Sequence, residues 1–185
     1  MNKTIINLQP ALENDLLLLR PLTSEDFEDL YHVASDPLVW EQHPDKNRCE
    51  RDVFKLFFSE AMASAGAFAV IDKETGKMIG STRFHRIKES ENAIEIGWTF
   101  LARKYWGGQY NGLMKQLMID WALRFVDNIL FYIDEYNIRS QKAVEKLGAE
   151  RITAIERTPL EVRPNAVTYS ITRKQWMEAK LSTRS

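Results

Sequence analysis

Chemistry in this chain is concentrated between residues 94 and 112, where a short apolar run carrying Glu95 feeds a turn at Gly107 and Gly108 and opens into a long helical pattern. At such a helix start several backbone N–H groups have no intrahelical partner and face the positive end of the helix dipole, an arrangement that favours an anion. Glycines let a ligand approach the backbone closely, as in turns that cradle phosphates, but the segment is neither G-x-G-x-x-G nor G-x-x-x-x-G-K-[ST]. Taken alone, Gly107 and Gly108 equally make a tight strand-to-helix turn. Strand alternation sets Ile94, Ile96 and Trp98 on one face and Glu95, Gly97 and Thr99 on the other. Lining a groove, Glu95 would be partly desolvated, with its pKa raised toward the working range of a general base; facing water, it is an ordinary strand carboxylate.

Asn137 and Ser140 open a helix after a buried-strand pattern, where Asn137 reads as an N-cap and Ser140 as a first-turn residue. His85 reads as a half-buried strand histidine before it reads as a proton relay. Trp40 and His43 sit in a polar and aromatic loop. Cys49 has no Cys-His constellation near it and reads as a free thiol. The charges at residues 88–91 read as a solvated turn.

The hydrophobic pattern supplies the scaffold for these positions. Residues 16–20 form an apolar run stopped by Pro21, and Thr23 with the acidic Glu25 and Asp26 marks the start of a helix carrying Phe27, Leu30, Tyr31 and Ala34. Asp36 and Pro37 end it, a loop runs to Arg48, and a second helix covers residues 51–65. Apolar runs at 67–71, 77–84 and 93–101, separated by turn residues 72–76 and a polar break at 88–92, predict three antiparallel strands in a meander. Leu113, Met114, Leu117, Met118, Trp121, Ala122 and Phe125 form one apolar helix face. A buried strand at 129–133, a helix at 137–147 stopped by Gly148, strands at 151–157 and 167–172 and a short helix around Gln175 complete a mixed α/β order. One domain over 1–185 is expected, with its core at about 16–178.

Lys plus Arg number 25 against 26 Asp plus Glu in 185 residues, a formal net charge of −1, which argues against a nucleic-acid partner. One cysteine and three histidines cannot assemble a disulfide or a structural zinc site, so no metal is expected and a reducing cytoplasmic setting fits. No stretch approaches 18 consecutive apolar residues, and the first ten residues carry no cleavage pattern, which argues against a membrane span and a signal peptide.

Several motifs in order carry a more specific signal. Tyr105-Trp106-Gly107-Gly108-Gln109-Tyr110-Asn111 before the amphipathic helix, followed by Asn137-Ile138-Arg139-Ser140 and Glu145-Lys146-Leu147-Gly148-Ala149, resembles the GNAT acyltransferase superfamily. Leu19-Arg20-Pro21-Leu22, Asp36-Pro37, Trp40-Glu41-Gln42-His43-Pro44, Ile171-Thr172-Arg173 and Trp176 extend the likeness over nearly the whole chain. Within the superfamily the chain resembles the ribosomal-protein N-terminal acetyltransferases.

The resemblance implies a single-domain α/β GNAT-like fold, with a mixed, mostly antiparallel central sheet containing a splayed pair of strands and flanked by helices. It implies acetyl-CoA as co-substrate, with the CoA pyrophosphate on backbone amides of Gly107, Gly108, Gln109, Tyr110, Asn111 and Gly112. The pantetheine arm would pair with backbone groups of Thr99, Phe100 and Leu101. Against the family's loop of Gln or Arg, two residues, Gly, one residue, then Gly or Ala, this chain has Trp106, Gln109 and Asn111 at the defined places. Glu95 is the implied base, while Asn137 and Ser140 lie beside the thiol end and Ser140 is the implied donor to the leaving sulfur; Tyr136 and Tyr110 stay open for that role. Trp40 and His43 would border the acceptor, an amine-bearing small molecule or a protein N-terminus. A non-catalytic acyl-CoA sensor on the same scaffold is the alternative. A nucleotide-binding domain is disfavoured by the missing P-loop lysine and the upstream meander. An exposed edge beside the splayed strand would leave room for a homodimer.

Overall fold

The computed structural model describes residues 6–87, 90–152 and 165–182. Its strands are β1 (Leu12–Glu13), β2 (Leu17–Pro21), β3 (Ala67–Asp72), β4 (Met78–Arg86), β5 (Ala93–Leu101), β6 (Asn128–Asp134), β7 (Glu150–Ile152) and β8 (Ala166–Thr172). They form one sheet in the order β1-β2-β3-β4-β5-β6-β8-β7. Neighbours are antiparallel except β5 and β6, which run parallel. The helices are α1 (Phe27–Ala34), α2 (Arg51–Ala63), α3 (Tyr110–Ala122), α4 (Ile138–Glu145) and α5 (Arg173–Ser182).

The expected meander is β3-β4-β5, extended backward by β2. Thr23 starts the first helical turn with its N–H donated to Asp26 Oδ2 at 2.8 Å, and Arg20 holds the same carboxylate through two hydrogen bonds of 2.7 Å. The loop after Asp36 contains two short 3-10 turns, Pro37–Trp40 and Lys46–Cys49; Asp36 caps the first by accepting from Leu38 N–H. The second helix ends at Ala63, two residues short of expectation, because Ala65 takes a φ of 49° that no helix continues. Strand β8 is inserted between β6 and β7, so the late strand-helix-strand segment does not pair its own two strands. The expected strand at 151–157 is seen only as β7; residues 153–157, like 88–89 in the polar break, lie outside the described residues.

Each face of the sheet carries its own core. Met114, Met118, Ile119 and Ala122 of α3 pack over Phe84, Ile94, Ile96 and Phe131. On the opposite face α1, α2 and the loop between them bring Leu30, Trp40, Phe54, Phe57 and Phe58 onto Ala69 and Phe100. Phe54, Phe68, Phe84 and Phe131 are completely buried, and each contributes on the order of 2–3 kcal/mol of apolar burial as an upper bound.

Two irregularities shape what lies between these cores. First, Arg83 opposes Gly97 and Ser81 opposes Phe100, so Thr82 alone spans Trp98 and Thr99. This is a β-bulge in β5, with Trp98 at a φ of 50°, a conformation rare for a bulky side chain. The extra residue resets the alternation and corrects the expected faces. Trp98 lies on the α2 side, packed with the second core, whereas Thr99 turns to the α3 side with Thr82. Second, β5 pairs with β6 only from Ala93 to Glu95, opposite Asn128, Ile129 and Leu130. Beyond Glu95 the two strands part, forming a fork in the middle of the sheet whose outer edges, among the described residues, are β1 and β7. The splayed strands are therefore not beside an exposed edge.

Candidate active site

The fork opens into a cavity of about 500 Å³. Its walls are β5 from Glu95 to Leu101, β6 from Phe131 to Asp134, the loop carrying Trp40, His43 and Arg48, the start of α4 and the connection from β5 to α3. Because β5 has no partner toward β6 past Glu95, its backbone in this stretch presents an open edge to the cavity.

Glu95 stands where pairing stops and is 1% exposed, which removes the solvated-carboxylate reading. Its carboxylate lies in the field of two buried cations, Lys115 and Arg83. Gly97 leaves room for it: a Cβ there would come within 3.0 Å of Glu95 Oε1. His85 opposes Glu95 in the register and packs against Trp98 at 5.4 Å between ring centroids, but it does not line the cavity.

At the other end of β5 the chain turns through Gly107, whose φ of 71° is open to glycine at no steric cost. A Cβ on Gly107, Gly108 or Gly112 would meet nothing within 4 Å, so the space before the first turn of α3 is free for a ligand to approach backbone amides. Gln109 takes ordinary right-handed helical angles and its carbonyl accepts from Leu113 N–H, so the loop accommodates a side chain at that place. The open strand edge, the free amides and the cavity fit an extended thioester carrier with a phosphate end.

Of the residues expected to bind or catalyse, Glu95, Thr99, Phe100, Leu101, Gly107, Asn111, Asn137 and Ser140 line the cavity; Gly108, Gln109, Tyr110 and Gly112 do not. Asn137 is the N-cap of α4, its Oδ1 accepting from Ser140 N–H at 3.1 Å. Among the side chains considered for the thiolate, Ser140 lines the cavity, whereas Tyr136 is exposed and Tyr110 packs on Tyr105.

Trp40 and His43 do reach the site, packed edge-on to one another, with Trp40 against Phe100 at 4.9 Å. Burial, reinforced by the Arg48 guanidinium, pushes the His43 pKa down to about 4, so it is a neutral imidazole at physiological pH. Arg48 itself lies over Phe57 at 4.7 Å and donates to Asp45.

Three cations were not singled out from sequence: Lys115, Arg83 and Arg48. Lys115 is 4% exposed; Nζ donates to Thr82 Oγ1 at 3.3 Å and to Thr99 Oγ1. Burial pushes its pKa down to about 7, with Glu95 opposing the shift. The signal for it was present: Asn111, Lys115, Met118 and Ala122 fall on one helical stripe by their four- and three-residue steps. Arg83 lies 4.6 Å from the Trp98 ring, and burial lowers its pKa to about 10. Among the described residues no group of three or more His, Cys, Asp or Glu could hold a metal ion, and no helix is long and apolar enough to cross a membrane.

Comparison with known proteins agrees with this architecture. The acetyltransferase (GNAT) domain profile matches residues 17–150. An uncharacterized N-acetyltransferase p20 of Bacillus licheniformis is 29% identical, over 76% of this chain and 83% of its own length. A GCN5-related N-acetyltransferase from Brucella melitensis superposes with a TM-score of 0.79 at 19% identity, covering 95% of this chain and 84% of that one. Spermidine N-acetyltransferase from Vibrio cholerae, solved with CoA and spermine, has a TM-score of 0.66 at 15% identity, covering 89% and 99%. With the profile spanning both arms of the fork and the turn into α3, the chain belongs to the GNAT acetyltransferase family.

Proposed function

We propose that this protein is an acetyl-CoA-dependent N-acetyltransferase, a single unit over residues 1–185, that moves an acetyl group onto the amine of a small molecule or a peptide N-terminus. The observation that carries the reading is the fork itself: an unpaired stretch of β5 beginning at a buried carboxylate and ending at free helix-start amides. The thioester supplies an electrophilic carbonyl carbon for the amine to attack.

Backbone groups of Thr99, Phe100 and Leu101 would hold the pantetheine arm by strand-like hydrogen bonds, and amides from Gly107 to Gly112 would hold the phosphates. Glu95 accepts the proton of the incoming ammonium, through water or directly, and Ser140 donates toward the departing sulfur. His43 is a poor base for this task, since it gains a proton only near pH 4. Trp40, His43 and Arg48 form the wall on the acceptor side. The Trp40-Glu41-Gln42-His43-Pro44 motif supports a protein N-terminus as acceptor, as in the ribosomal-protein branch; the spermidine enzyme among the structural relatives supports a small amine. A cytoplasmic setting, where acetyl-CoA is available, goes with either.

Calorimetric titration with acetyl-CoA, with coenzyme A and ATP as controls, tests the donor site; release of CoA thiol in the presence of candidate amines tests the reaction. Saturable binding of both CoA species and not of ATP, followed by amine-dependent thiol release, is expected. Binding without turnover for any amine would make the protein an acyl-CoA sensor, and no binding would overturn the reading.

A further inference from the structure

The floor of the fork holds an amine. Lys115 reaches it from α3, and its Nζ contacts both arms: Thr99 on β5 by a hydrogen bond, and Phe131 on β6, whose ring centroid is 6.0 Å away. Phe131 is the first residue of β6 past the last paired position, and Thr99 follows the bulge. The amine therefore lies between the diverging strands, on the cavity wall shared with Glu95. A lysine on the inward stripe of a helix is costly, and no packing requirement explains it: Met118 and Ala122, the next two positions along the same stripe, are apolar and fully buried. The hydrogen bonds it makes go to two neutral hydroxyls, which do not favour a full charge as a carboxylate contact would.

We propose that Lys115 is a self-acetylation site, modified by acetyl-CoA bound in the fork when no acceptor amine is present. This rests on the donor site proposed above. Nζ attacks the thioester carbonyl carbon; a C–N bond forms, the C–S bond breaks and its electron pair leaves on sulfur. The proton lost from nitrogen ends on the CoA thiolate, leaving Nε-acetyl-lysine and free CoA thiol. No further reactant is needed.

Two features favour this amine over every exposed one. Holding donor and nucleophile in one cavity replaces a bimolecular encounter by an intramolecular one. A pKa of about 7 against the ordinary 10.5 also makes the neutral fraction at physiological pH about a thousandfold larger. Lys104, exposed in the turn just before the same loop, is the internal control: its hydrogen bond to Tyr105 raises its pKa and keeps it an ammonium. The product would be a neutral acetamide filling the floor of the fork, so a protein short of acceptor would restrain its own use of acetyl-CoA.

Native full-length protein is incubated with acetyl-CoA and no acceptor, then followed by intact mass, peptide mapping and thiol release, with calorimetric binding measured in parallel. One acetyl group per chain is expected, on Lys115, with one equivalent of CoA thiol, at least tenfold faster than labelling of Lys104. Excess coenzyme A should slow it, and K115R, which keeps a cation but offers no neutral amine, should bind acetyl-CoA without becoming labelled. Acetyl-CoA that binds while Lys115 stays unmodified, or is labelled no faster than Lys104, overturns the inference and leaves the donor site standing. Failure of acetyl-CoA to bind overturns both. The wild-type map decides the matter even if K115R does not fold.

Discussion

The guanidinium of Arg139 lies 3.9 Å from the centre of the Trp106 ring, and this stack ties together the two arms of the fork. Trp106 follows β5 and is held by its Nε1–H donating to Leu101 O at 2.8 Å; Arg139 stands in the first turn of α4, after β6. The same arginine donates to Val39 O at 3.1 Å, and its backbone N–H donates to Gln42 Oε1 at 3.0 Å, so the loop between α1 and α2 is fastened to the bridge. Three walls of the cavity thus depend on one side chain.

Arg139→Ala removes the stack and one charge-assisted hydrogen bond, together about 1–2 kcal/mol. The expected result is a rise in KM for acetyl-CoA of about tenfold, with kcat changed less, because the bridge positions the donor's walls and does not touch the reacting bond. Steady-state kinetics at fixed acceptor would show it. An unchanged KM would mean that the bridge is only a surface contact.

Glu95→Gln keeps the shape and burial of the side chain and deletes the base. A loss in kcat/KM of well over tenfold, more than ~1.4 kcal/mol, is expected, with most of it in kcat. A smaller loss, with acetyl-CoA binding intact, would remove Glu95 from the proton route and leave it a counter-charge for Lys115 and Arg83.

Two glycine substitutions separate folding from binding. At Gly80 a Cβ would fall 2.0 Å from Phe100 O and 2.9 Å from Leu101 Cα, both backbone atoms, so Gly80→Ala must push β4 and β5 apart and should cost about 3 kcal/mol or more. At Gly108 the added methyl meets nothing within 4 Å. Gly108→Ala should therefore unfold at the same temperature as the parent, within about 0.5 kcal/mol of stability, yet raise KM for acetyl-CoA by crowding the approach to the helix-start amides. Thermal melts beside kinetics check both, and an unaltered KM for Gly108→Ala would move the phosphate site elsewhere.

The buried lysine makes stability depend on pH. Lys115 titrates at about 7 in the folded chain and at 10.5 when solvated, so its folded pKa is the lower one. Below about pH 7 both states carry the proton and the cost of the buried ammonium is present in full; as pH rises toward 10.5 the folded state sheds it first, and stability increases. Lys115→Met fills similar volume without titrating, while Thr82 and Thr99 still bond each other at 2.8 Å. A gain of ~2–4 kcal/mol near pH 6, shrinking toward about pH 9, is expected from urea titrations. A variant that keeps the parent's slope above neutrality would assign that slope to another group. His43 acts lower on the scale: with a folded pKa of about 4 against 6.5, it costs stability as pH falls through that interval.

Much of the scaffold was legible because its signals are local. Turn residues 72–76, the Thr23 start, the capping Asn137 and the apolar stripe of α3 act on neighbours within a few positions, so composition and spacing report them directly. The bulge was not legible: one extra residue between two pairings leaves no mark on composition, yet it turned Trp98 and Thr99 to faces opposite those expected. Arg83 and His85 alternate on β4 as a solvent-facing pair would, and only tertiary packing, by Phe57 of α2 and the Trp98 ring, covers Arg83.

The sequence by itself determined the succession of strands and helices, the glycine turn before α3, the capped start of α4 and a family resemblance strong enough to point to Glu95. Those features are encoded in hydrogen bonds and side-chain periodicity between close neighbours. The tertiary structure alone decided that β5 leaves β6 at Glu95, that β8 enters between β6 and β7, and that Lys115, Thr82 and Thr99 meet at the floor of the fork. Each of these joins residues far apart in the chain, where pairing register and the competition between burial and charge act over the whole core and not within a sequence window.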